Sequence, residues 1–141
     1  MKRVLMALAF VLTTASANAA VVDGTLLGYT RTDGTTYNSV DFHSFTMNSN
    51  GQLNIDMLSW ESYGQDVNGD GEHAFFDTMV WLFNGSVSVA NLIAQNDDSS
   101  VLGSDGSISG LDSNLTVNLA AGNYWIAVGA CCNDGTDIVD G

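Results

Sequence analysis

Positive charge is nearly absent from the sequence. Three Lys and Arg residues stand against 16 Asp and Glu, a formal net charge of -13 over 141 residues. A protein that grips a phosphate backbone must release counterions with clustered basic side chains, and this chain cannot supply one such patch. Nucleic acid is thereby excluded, and the natural electrostatic partner is a cation. Long apolar runs are also lacking. The run from Val4 to Leu12 is far shorter than the roughly 20 residues of a spanning helix, so no membrane span is expected in the mature chain. Cysteine is limited to Cys131 and Cys132, which are adjacent, so a long-range disulfide within the chain is impossible. A vicinal bridge is sterically demanding and zinc wants wider ligand spacing, which leaves partners in another chain or in sequence not present here. Catalytic residues are few: His43 and His73 are the histidines, Glu61 and Glu72 the glutamates, and no nucleophile elbow, zinc-helix motif, P-loop or dinucleotide fingerprint occurs. Glu61 with Asp77, or Glu72 with Asp56, would be the pairs to consider for glycoside hydrolysis, but among 16 acids chance pairs are certain. The chain is read as a non-enzyme.

The first residues carry an address. Met1-Lys2-Arg3 is a positive n-region, Val4 to Leu12 an apolar h-region, and Ala17-Asn18-Ala19 an A-x-A cleavage site, so residues 1–19 are expected to be a Sec-type signal peptide. Residues 20–141 then form one domain, secreted or held in the periplasm or at the cell surface. Cleavage leaves Arg31 as the sole Lys or Arg against all 16 acids. Charge of one sign repels itself in a compact state, and divalent counterions outside the cytoplasm relieve it.

The mature chain reads as strands. Thr25–Tyr29, Val40–Met47, Leu53–Leu58, Thr78–Phe83, Asn91–Ala94, Leu115–Leu119 and Tyr124–Val128 are short apolar or alternating runs, bounded by turn chemistry such as Asn84-Gly85 and Ala121-Gly122-Asn123. Alternation is clean in Leu53, Ile55, Met57 against Asn54, Asp56 and imperfect over Val40–Met47. Outside the signal peptide no long window repeats at a helical period. The expected fold is an all-β antiparallel sandwich of jelly-roll type with about seven to eight strands, an up-and-down barrel being second. Residues 97–110, rich in Ser, Gly and Asp, are expected to be a surface loop.

One segment carries chemistry. Asp66-Val67-Asn68-Gly69-Asp70-Gly71-Glu72-His73-Ala74-Phe75-Phe76-Asp77 fits D-x-N-x-D-G with a carboxylate at the twelfth position. Alternate residues Asp66, Asn68 and Asp70 point oxygens into a tight loop, Gly71 permits the reversal, the Glu72 carbonyl fills the next place and Asp77 closes the shell. Hard oxygen donors suit Ca²⁺ and are poor for Zn²⁺ or Cu²⁺. The twelfth residue is Asp rather than Glu, and Phe75-Phe76-Asp77-Thr78 leads into a strand, so the loop resembles those of EF-hands and dockerin repeats without their helices. An Asx-rich turn that binds nothing is the competing reading. A second acidic group, Asp97 and Asp98 in Asn96-Asp97-Asp98-Ser99 with Asp112 further on, either builds a second site, shares the first ion, or is a solvated loop.

In order along the chain, Leu82-Phe83, Leu92-Ile93-Ala94, Asn96-Asp97-Asp98-Ser99, Leu111-Asp112-Ser113-Asn114-Leu115 and Leu119 through Gly129 resemble the bacterial pre-peptidase C-terminal domain family over roughly Val40 to Gly129. The resemblance implies a secreted, often calcium-binding jelly-roll sandwich, itself non-catalytic, appended to proteases or found in surface proteins. It also implies one more strand after Gly129, which Asp137-Ile138-Val139-Asp140-Gly141 does not supply. The expectation is a chain truncated before its closing strand, or an open edge that takes a strand from another chain. Two roles follow: a structural or adhesive module, or a carbohydrate- or protein-polymer-binding module accessory to a secreted hydrolase. For the second, Trp60 and Tyr63 are the aromatics expected to be exposed, the rest being core.

Overall fold

A computed structural model of the chain describes residues 28–30, 32, 34, 36–61, 64–67, 69, 71, 75–98, 108–131 and 138–139. The expected signal peptide lies outside them. Among the described residues there are eight strands: β1 (Gly28–Thr30), β2 (Thr36–Asn38), β3 (Asp41–Met47), β4 (Gly51–Asp56), β5 (Thr78–Asn84), β6 (Leu92–Asn96), β7 (Asn114–Leu119) and β8 (Gly122–Ala130). Every pairing is antiparallel. A four-stranded sheet runs in the order β3-β8-β5-β6, a two-stranded sheet pairs β4 with β7, and β1 pairs with β2. The expected all-β antiparallel sandwich is the fold observed.

Strand β5 shows why. Thr78-Met79-Val80-Trp81-Leu82-Phe83 is apolar at nearly every position, and all six residues are buried. A strand that reads as a continuous apolar run must be covered on both faces, which places it centrally between β8 and β6. Its even residues look inward: Leu82 joins Tyr124 and Leu119 in a core completed by Phe45, Met47, Leu53, Ala94, Leu115, Val117 and Ile126, with β4 and β7 as the opposing layer. Its odd residues look outward: Met79, Trp81 and Phe83 pack with Ala127 and Ile138, and with the partly buried Val40, Val87, Leu92, Trp125 and Val139. Ile138, 4% exposed, is therefore a core residue. Val139 packs against the same cluster, and no longer apolar run announces the pair in the sequence.

Strand β3 alternates better than its composition suggests. Asp41, His43, Phe45 and Met47 are half-buried while Phe42, Ser44 and Thr46 are exposed. The irregularity in the sequence is Phe42, an apolar residue left on the wet side at 42% exposure. The β7–β8 turn is closed by Tyr124, which is stacked on Phe45 and whose hydroxyl donates to the Ala120 carbonyl at 3.0 Å.

Side chains from both sides of β8 close over Gly129. A Cβ there would lie 3.3 Å from both Trp81 Cζ3 and Val40 Cγ2. Gly129→Ala is therefore expected to destabilise the domain by about 1–3 kcal/mol, the range for overpacking a filled core, as read from urea denaturation midpoints.

Candidate metal centre

The loop that begins at Asp66 is tied at its neck. Trp60 and Phe75 form a bridge across it, with their rings edge to face at 5.9 Å between centroids. The Phe76 amide donates to the Ser59 carbonyl at 3.2 Å, and the Ser59 hydroxyl donates to the Phe76 carbonyl at 2.9 Å. Glu61, fully buried, accepts the Val67 amide at 2.8 Å, so a carboxylate below the neck holds the loop's first turn. Asp66 is exposed and accepts from two loop amides, Gly69 at 2.6 Å on Oδ1 and Gly71 at 3.0 Å on Oδ2. Wrapping the backbone around that carboxylate requires left-handed residues, and Gly69 and Gly71 have φ of 80° and 86°. Asn68, Asp70 and Glu72, the expected middle of the shell, lie outside the described residues, as do His73 and Tyr63.

The far end of the loop meets the second acidic group. Asp77 immediately precedes β5, whose register pairs Thr78 with Ala130, and the ladder continues with the Cys131 amide donating to the Asp77 carbonyl at 2.8 Å. On the other side β5 pairs with β6 from Val80–Asn96, so Asp97 is the next residue beyond the ladder. Strand alternation puts Asp77, Cys131 and Asp97 on the outward side with Met79 and Trp81. One carboxylate oxygen of each aspartate and the Cys131 sulfur lie within 4.8 Å of one another. Oδ1 of Asp77 and Oδ1 of Asp97 are buried and have no hydrogen-bond partner among the described residues. The Asp97 carboxyl is held above the ordinary carboxylate range by burial, then by the charges of Asp98 and Asp77. Two like charges thus share a poorly solvated corner, in a chain with no Lys or Arg after Arg31.

Asp112 is placed differently. It is 1% exposed, and its Oδ1 accepts from the Ser59 amide at 2.9 Å, the Ser59 hydroxyl at 3.1 Å and the Trp60 amide at 2.8 Å. The carboxylate thereby latches the 108–113 turn to the loop neck, a role that no spacing in the sequence foretells because its partners are more than 50 residues away. Asp98 is exposed and acts on the centre through its charge. The structure brings together Asp77 from the first expected group and Asp97 from the second, and adds Cys131, which sequence reasoning missed as a neighbour.

The donor set fits a hard divalent ion in its two carboxylates and its dearth of competing basic groups; the thiol is soft and is not a calcium ligand. Comparison of the chain with protein-family models, with curated proteins and with solved structures gave no match.

Proposed function

We propose that the chain is an exported, non-catalytic β-sandwich module, structural or adhesive in role, whose closure depends on a calcium ion held at the junction of the Asp66–Asp77 loop and the end of β6. The observation that carries this reading is the pair of buried Oδ1 atoms on Asp77 and Asp97, which share one corner and have no hydrogen-bond partner among the described residues. Asp77 and Asp97 would supply carboxylate oxygens, and the loop residues Asp66, Asn68, Asp70 and Glu72 the remaining donors. Asp98 would add to the potential. The expected second site thereby merges with the first. The nested pairing of β3 with β8, β4 with β7 and β5 with β6 supports a jelly-roll connectivity.

Thermal unfolding in calcium and in chelator tests this reading. Calcium at a hundred times its dissociation constant is expected to add about 2.7 kcal/mol to folding, and Asp77→Asn to abolish the difference. Cys131→Ser is expected to leave the calcium response within about 0.5 kcal/mol of wild type, as for a substitution outside the shell. An unchanged melting temperature on calcium addition to the wild type would remove the ion from the account.

A second reading, polymer binding, is favoured by the aromatic pair at the loop neck. Phe75 is 60% exposed and leans on the half-buried Trp60, so the exposed ring is Phe75 rather than Trp60. Retention on insoluble polysaccharide or collagen, lost in Phe75→Ala, is the corresponding test.

A further inference from the structure

We infer that Ser113 is a positioning residue for this centre: its hydroxyl fixes the separation of the Asp77 and Asp97 carboxylates and so sets how tightly calcium is held. The inference rests on the reading that these two aspartates share an ion. Ser113 is fully buried, and its Oγ lies 2.6 Å from the Thr78 carbonyl, 2.7 Å from the Asp97 carbonyl and 3.1 Å from the Asn96 carbonyl. Thr78 directly follows one proposed ligand, and Asp97 is the other. One hydroxyl therefore touches the backbone of both ligand-bearing segments where their side chains depart.

The need for such a post follows from the register. The β5–β6 ladder ends at Val80–Asn96, so strand pairing does not carry on to hold Asp97 against Asp77. Like charges facing each other across that gap drive the segments apart. A hydroxyl has one proton to give and three carbonyls within reach, so whichever bond it donates, it stays wedged between β5 and the end of β6. Ser113 itself cannot drift. Its carbonyl accepts the Met57 amide at 3.0 Å, the next amide, Asn114, donates to Asn96 Oδ1 at 2.9 Å, and Asp112 on its other side is latched to Ser59 and Trp60. The turn from the opposing layer is thus a fixed point against which both aspartates are measured.

Isothermal titration of the exported chain with calcium chloride, at a temperature where circular dichroism shows each protein folded, is the experiment. Ser113→Ala is expected to weaken calcium binding about five- to tenfold, the size of one lost hydrogen bond. Ser113→Cys, nearly isosteric with a weak donor, guards against failure of the alanine variant to fold and is expected to shift affinity in the same direction. A variant that melts earlier in chelator yet binds calcium as tightly as wild type would show a merely structural serine and overturn the inference while leaving the calcium reading intact. Absence of calcium binding by the wild type itself would overturn both.

Discussion

Trp81→Ala is expected to lower the free energy of unfolding by about 3–5 kcal/mol, the range for removing a large aromatic from a filled core. Against a total of about 5–15 kcal/mol for a domain, that brings the protein close to unfolding. Trp81 is 0% exposed at the middle of the central strand, and its outward side chain contributes to the cluster of Met79, Phe83, Ala127 and Ile138. No neighbouring strand can collapse into the space, because both flanking strands are held in register: Trp81 is paired with Ala127 on one side and Gln95 on the other. Trp81→Phe separates packing from polarity. The indole Nε1 is buried without a hydrogen-bond partner among the described residues, so phenylalanine removes a desolvated donor worth about 1–3 kcal/mol as well as part of a ring. The phenylalanine variant is therefore expected to recover most of the stability that alanine loses. Equal midpoints for the two variants in urea titrations would show that a phenyl ring restores none of the lost packing and would overturn this account.

The strands were legible because their cause is local. An apolar run bounded by Asn, Gly and Asp reports burial directly, and the expected Thr78–Phe83 strand matches Thr78–Asn84 to within a residue. The centre was legible only in halves, since Asp77 and Asp97 each stand in a recognisable acidic group. What joined the halves is register, which depends on which strand pairs with which and at what offset, and neither is written in any short window. The same holds for Cys131, brought beside Asp77 by the β5–β8 ladder, and for Asp112, which the spacing offered as a ligand and the fold uses to cap the Ser59 and Trp60 amides. Ser113 was missed for a related reason: a buried serine between an aspartate and an asparagine looks like turn chemistry until its three carbonyl neighbours are seen.

Asp97→Asn is expected to act in opposite directions with and without calcium. In chelator the wild type folds with a carboxyl whose proton is held more tightly than in the unfolded chain, because burial and the charges of Asp98 and Asp77 disfavour ionisation. The folded state then binds more protons across the window between the ordinary carboxylate value and the raised one, so this group's contribution to stability falls as pH rises through that window. Above it the full penalty applies; below the ordinary value there is none. Asparagine removes the charge, so in chelator at neutral pH the variant is expected to melt above wild type, with the advantage shrinking as the pH is lowered through the window. In calcium the order reverses. The pair that repels itself without calcium is the pair proposed to hold the ion, and losing one member is expected to forfeit about 2.7 kcal/mol at a hundredfold excess over the wild-type dissociation constant. Melting curves of both proteins, in calcium and in chelator at neutral and acidic pH, decide the matter. Destabilisation of equal size in all four conditions would mean that Asp97 is a structural side chain and that the corner needs no cation.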